Sequence, residues 1–150
     1  MTAEPAVFAA VFAALYAAHE LGDHWVQTHH QALTKGRLDT TGRLACLRHV
    51  ASLTAVKVAA LLLVALVCGI VFPFGGALVA LALGVDAVSH YWADRRHTLA
   101  ALADRIGKGD FVRLGDGFAA PAGTGAYALD QSWHIAWLLV TSLLASLGTA

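Results

Sequence analysis

Apolar residues fall in four long runs, and polar residues gather between the runs or at their ends. The runs cover about residues 5–27, 47–72, 74–95 and 129–150. Each holds roughly the 20 residues an α-helix needs to cross a hydrocarbon core. The second is the purest: AVKVAALLLVALVCGIVF carries a single charge, Lys57. Pro5 suits the first turn of a helix; Met1 to Pro5 carry Glu4 and no Lys or Arg, unlike a signal peptide, so the first run reads as a retained helix. Only Pro73 and its flanks separate the second run from the third, which makes those two a tight antiparallel hairpin. The pattern predicts an all-α polytopic membrane protein: one domain over residues 1–150, folded as a four-transmembrane-helix up-down bundle.

Two polar stretches remain, about residues 28–46 and 96–128, and both read as loops. Within the second, Thr98 to Ile106 predicts a short helix with Thr98 as its N-cap. Leu99, Leu102 and Ile106 share one face of it, as in a helix lying on a membrane surface. The glycine-rich run GKGDFVRLGDGFAAPAGTG follows, a flexible loop and a candidate lid over a site.

Composition agrees with bilayer solvent. Hydrophobic residues make up 58% and charged residues 13%, against roughly 25% charged in a soluble domain. Formal net charge is +0, so no basic field recommends a nucleic-acid partner. Cys46 and Cys68 fall on one predicted helix, too far apart to bridge, and neither has a CxxC neighbour. Of the 10 Lys and Arg, all but Lys57 lie at the ends of, or within, the two polar stretches. The positive-inside rule then puts both stretches in the cytoplasm and both termini outside an inner membrane.

The polar residues inside the runs are the informative ones. His19, Asp23 and Gln27 follow each other at steps of four, as do Asp86, His90 and Asp94, and Asp130 and His134. Steps of four align each set on one helical face. His49 stands near the start of the second run, with Lys57 further in. In an up-down bundle all of these meet at the cytoplasmic end. Counted from that end they form rough layers: Asp94, Asp130 and His49 outermost; Asp23, His90 and His134 next; His19, Lys57 and Asp86 deepest. Lys57 and Asp86 match in depth on neighbouring segments, and each neutralises a charge the other leaves uncompensated.

Charges within a membrane cost about 2.5–3.5 kcal/mol each by insertion scales. They persist where they pair, line water or hold a metal. Imidazole with carboxylate suits a divalent transition metal, zinc foremost. Asp23, His90 and His134 are the first ligands expected, then His19 and Asp94. Asp130, with Asp94, is the candidate general base or orienting carboxylate. Gln27, His49, Lys57 and Asp86 belong to the same polar cluster. His24, His29, His30 and His97 sit in or beside the polar stretches and read as water-bonded interfacial residues. Trp25, Trp92, Trp133, Trp137, Tyr91 and Tyr127 read as an aromatic belt. HExxH, GxSxG, Walker and desaturase histidine-box patterns are all absent.

The run HELGDHWVQTHHQALTKG, with the later LRHV, SHYWADRR and DQSWHIAWLL, resembles a family of small bacterial polytopic membrane proteins known as domain-of-unknown-function family 3307. The residues carrying the resemblance are His19, Asp23, Gln27, Thr28, Lys35, Gly36, His49, Asp130, Gln131 and His134. It implies a multi-pass membrane fold and a shared site, and no established reaction. More loosely, the chain is similar to membrane-bound metal-dependent hydrolases. The expectation is therefore a zinc-dependent hydrolase acting on an amphiphilic or lipid substrate at the cytoplasmic leaflet. A metal-ion or proton transporter or relay, a non-catalytic membrane adaptor and a homo-oligomer of this chain stay open on the sequence.

Overall fold

A computed structural model describes residues 1–73, 76–116 and 123–149. All its regular elements are helical. They run α1 Pro5–Leu21, continued by a π-helical turn Gly22–Val26, then α2 His29–Thr34, α3 Thr40–Cys68, α4 Ala77–Asp94, α5 His97–Arg105, α6 Gly109–Val112 and α7 Gly125–Ser146. Two helical stretches, Pro5–Val26 and Thr40–Cys68, are long and apolar enough to cross a membrane. Helices α4 and α7 fall short of that test because Asp86, His90, Asp94, Asp130 and His134 dilute their apolar runs.

Four long helices pack in a ring: α1 on α3, α3 on α4, α4 on α7, and α7 back on α1. Among the described residues the diagonal pairs α1 with α4 and α3 with α7 do not bring their backbones close, and α1 and α4 meet only through side chains such as His19 and His90. Consecutive long helices are thus neighbours and antiparallel. The chain ends meet at one pole, where Gly148 N–H donates to the Thr2 carbonyl and Glu4 N–H to the Thr149 hydroxyl. The interior near that pole is apolar, built from Val11, Leu15, Leu61, Leu83 and Leu138. Helix α7 brings small hydroxyl residues to this interior. Thr141, Ser142 and Ser146 donate to the carbonyls of Trp137, Leu138 and Ser142, so the buried hydroxyls are satisfied within their own helix.

The observed helix ends differ from the expected ones, and local capping explains why. Helix α3 begins at Thr40 rather than near residue 47, because the Asp39 side chain accepts from Gly42 N–H at 2.8 Å. It stops at Gly69, whose left-handed φ of 68° is a conformation glycine adopts without strain. Helix α7 begins at Gly125, four residues early, with Thr124 as its cap. The first polar stretch is not simply a loop: Thr28 and Gln31 form a reciprocal capping box that starts α2. In the second, the short helix forms from His97, and Thr98 does not cap it. Its hydroxyl bonds the Trp92 carbonyl instead. Leu99 is buried against the bundle and Ile106 is exposed, so the expected three-residue surface face is split. Part of the expected lid, residues 117–122, lies outside the described residues, as do residues 74 and 75 of the hairpin.

Candidate metal centre

At the pole opposite the chain ends, three segments aim imidazoles and carboxylates at one point. The π turn supplies Asp23, α3 supplies His49, and α4 supplies both His90 and Asp94. Gly22 makes this approach possible. A Cβ there would run into the Leu53 side chain of α3, so only glycine lets α1 come this near. The π turn then closes with Gln27 N–H on the Gly22 carbonyl at 2.9 Å. Such single-turn π insertions recur at functional sites.

The four converging atoms are Asp23 Oδ1, His49 Nε2, His90 Nε2 and Asp94 Oδ2. His49 Nε2 lies 3.2 Å from His90 Nε2, 3.2 Å from Asp23 Oδ1 and 3.3 Å from Asp94 Oδ2. His90 Nε2 lies 3.7 Å from Asp23 Oδ1 and 3.2 Å from Asp94 Oδ2. A tetrahedral zinc with bonds of about 2.0–2.2 Å separates its ligand atoms by about 3.3–3.6 Å. The five separations, 3.2–3.7 Å, lie close to that range, and His49, His90 and Asp94 are near enough to one another to share an ion. All four side chains are buried. Asp23 Oδ1 and Asp94 Oδ2 nevertheless lack a hydrogen bond among the described residues, while Asp94 Oδ1 meets the Lys35 ammonium at 2.7 Å. Two neutral Nε2–H tautomers, His49 donating to Asp23 Oδ1 and His90 to Asp94 Oδ2, satisfy both carboxylates without an ion, and a divalent cation among the four atoms is the alternative occupant. The Nδ1 atoms of His49 and His90 have no protein hydrogen-bond partner among the described residues.

The other expected residues surround this cage. His19 is fully buried behind Asp23, with Nδ1 3.8 Å from Asp23 Oδ2. The His134 ring stacks on His90, centroids 3.9 Å apart, and its Nε2 lies 3.4 Å from Asp130 Oδ1 and 3.8 Å from Asp94 Oδ1. Three groups within this cluster have ligand atoms close enough to share an ion: His19 with Asp23 and His90, His49 with His90 and Asp94, and Asp94 with Asp130 and His134. One layer deeper, Lys57 Nζ is 2.5 Å from Asp86 Oδ2, the pairing their matched depths imply. Gln27 lies at the mouth, its side-chain nitrogen buried without a partner among the described residues.

The expected layering needs correction at His49, while His134 stacks on His90 as their shared layer implies. His49 is not outermost; it sits at the level of Asp23 and His90 in the middle of the cage. The early start of α3 places it about two and a half turns inside the helix rather than at its first turn. His134, expected among the first three ligands, stands to one side of the cage. A further residue, Lys35, was read on sequence as a loop charge and as part of the resemblance, without a place among the candidate ligands. Its Nζ lies 2.7 Å from Asp94 Oδ1, and the side chain is buried. Buried Arg95 seats it there by donating to the Lys35 and Arg37 carbonyls. Arg96 adds a bond to the Ala32 carbonyl at 2.9 Å.

A cavity of about 680 Å³ opens above the cage. Asp23, Asp94, Lys35, Arg96, Asp130 and Tyr127 help to line it, with Leu99 and Val112 of α5 and α6 on its far wall. Tyr127 OH is 3.2 Å from His24 Nε2 and ties the mouth of α1 to the start of α7. His29, His30 and His97 are exposed. No family model, curated protein or solved structure matches this chain, so the site rests on its own residues.

Proposed function

We propose that the protein is a four-span inner-membrane metalloprotein whose buried cage holds a divalent transition metal, zinc foremost, for hydrolysis of an amphiphilic substrate. One observation carries this reading: four ligand atoms from three chain segments converge at separations of 3.2–3.7 Å, and the two carboxylate oxygens among them have no hydrogen bond among the described residues. Imidazole and carboxylate are the donor set such a metal selects.

Support for the membrane setting comes from an inverted surface. Leu62, Leu66, Val67 and Val71 face outward, Leu66 at 83% exposure, while Lys57 inside is at 0%. That is the arrangement lipid solvent favours and water does not. Nine of the ten basic residues lie at the cage pole, and the two chain ends pair at the other. The positive-inside rule then puts the cage at the cytoplasmic leaflet and both termini outside.

Bound zinc would act as a Lewis acid on water and on a substrate carbonyl or phosphoryl oxygen. The chain's part is to hold that chemistry at the floor of the cavity. Asp130, facing the cavity and 23% exposed at its side chain, is placed to accept a proton from an entering water. An amphiphile can present its head group to the cavity from the leaflet while its tail stays in lipid. A conduit through the bundle is disfavoured, because beyond Lys57 and Asp86 the interior is closed by Val11, Leu15, Leu61 and Leu138. The test is turnover of short-chain ester and phosphate amphiphiles by zinc-loaded, detergent-solubilised protein. Hydrolysis that is lost on chelation and in His90→Ala is expected. A stoichiometric metal without turnover of any ester, amide or phosphate amphiphile would remove the hydrolase and leave a sensing or storage site.

A further inference from the structure

Asp94 presents its two oxygens to two different sets of ligands. Oδ2 faces His49 and His90, within the cage. Oδ1 faces the other way, 3.8 Å from His134 Nε2, which is itself 3.4 Å from Asp130 Oδ1. Asp94, Asp130 and His134 form a separate triad with ligand atoms close enough to share an ion. His134 Nε2, in a residue 3% exposed, is buried without a hydrogen bond among the described residues, and Asp94 Oδ1, in a residue 1% exposed, meets Lys35 Nζ at 2.7 Å.

We propose that this triad is a second divalent-cation position and that Asp94 bridges two ions. The inference rests on the metal-centre reading above and sharpens it. The triad has three protein ligands, the count of a catalytic site with an open position, whereas the four-ligand cage reaches water and substrate only by expanding its coordination. The triad also faces the cavity, since Asp94 and Asp130 both line it. A carboxylate bridge holds paired ions about 3.5–4 Å apart, the spacing of two-metal hydrolytic sites. Lys35 Nζ now sits at Asp94 Oδ1 and is the competing cation. A divalent ion entering the triad displaces that ammonium toward the cavity, where it meets an anionic head group.

Charge sets the alternative. One ion with Lys35 balances Asp23, Asp94 and Asp130, while two ions leave the site positive until an anionic substrate or hydroxide enters. The second ion is therefore held more weakly than the first and depends on Lys35. The experiment is metal titration of the purified, detergent-solubilised wild-type chain and its variants with Zn²⁺, and with Mn²⁺ for magnetic resonance. Wild type is expected to bind two ions per chain, with a spin-coupled Mn²⁺ pair. Asp130→Asn, a conservative change at the cavity wall, should bind one ion with no coupling. Lys35→Gln should tighten the second ion at least several-fold. One uncoupled ion per chain in wild type and in Asp130→Asn alike, with Lys35→Gln unchanged, would overturn the second position and leave the cage intact. No bound ion in any form would instead overturn the cage itself.

Discussion

His49 and His134 show how much a single helix boundary decides at the scale of one residue. Both are buried histidines at the cage pole, yet only His49 points its Nε2 at the shared centre. His49→Ala should therefore remove as much tightly held metal as His90→Ala, while His29→Ala and His30→Ala leave metal content unchanged. Elemental analysis of the purified variants checks this, and full metal in His49→Ala would move the centre elsewhere. The deeper Lys57–Asp86 pair gives a second prediction. Breaking a buried ion pair from one side costs about 3–5 kcal/mol, because the partner is left charged in low dielectric. Lys57→Met should lower the thermal midpoint more than Lys57→Met combined with Asp86→Leu. Additive losses in that cycle would show that the two do not interact. The sets His19/Asp23/Gln27, Asp86/His90/Asp94 and Asp130/His134 were legible in sequence because steps of four on a helix need no tertiary knowledge. Lys35 was not legible. Its position depends on Arg95, sixty residues away in the chain, holding the Lys35 and Arg37 carbonyls.

Two short-range devices at the scale of the element put the ligands in register. The first is the Asp39 cap of α3. The Gly42 N–H donates to the Asp39 carboxylate and holds its pKa below the usual carboxylate value. A lowered folded-state pKa means the cap contributes fully above the ordinary carboxylate pKa and is lost as pH falls through the lowered value. Protection of the Gly42 amide from exchange, relative to its intrinsic rate, should fall on that acid limb, and Asp39→Ala should show the weaker protection at neutral pH as well. Identical exchange in the variant and wild type would deny the cap its role. The second device is Gly22, where α1 meets Leu53 of α3. Gly22→Ala forces that contact apart and should cost about 1–3 kcal/mol. Adding Leu53→Ala should recover part of the loss; no recovery would place the strain elsewhere. The π turn and the capping box of Thr28 and Gln31 lie where the sequence pattern reads as a helix end and a loop. Hydrophobic periodicity has no signal for either, so α2 and the extra length of α3 went unseen.

The order and neighbours of the four long helices follow, at the scale of the whole molecule, from the spacing of the apolar runs. So does the gathering of their polar ends at one pole. The tie between the chain ends was not visible in that pattern, because it is made by backbone groups of Thr2 and Gly148 and by the Thr149 hydroxyl. It puts both termini on the side away from the basic loops. In a Cys68→Ser background, Thr2→Cys should react with an impermeant thiol reagent added outside intact cells, and Asp110→Cys should not. Strong labelling at position 110 would reverse the orientation. The central claim, however, is the metal, and its most direct measurement is transition-metal content per chain in the detergent-purified, well-folded protein, before and after reconstitution with Zn²⁺. The cage of Asp23, His49, His90 and Asp94 predicts at least one tightly held ion per chain, lost in His49→Ala and in His90→Ala, with a thermal midpoint that falls on chelation. A folded protein that purifies without metal and takes up none on reconstitution would contradict it.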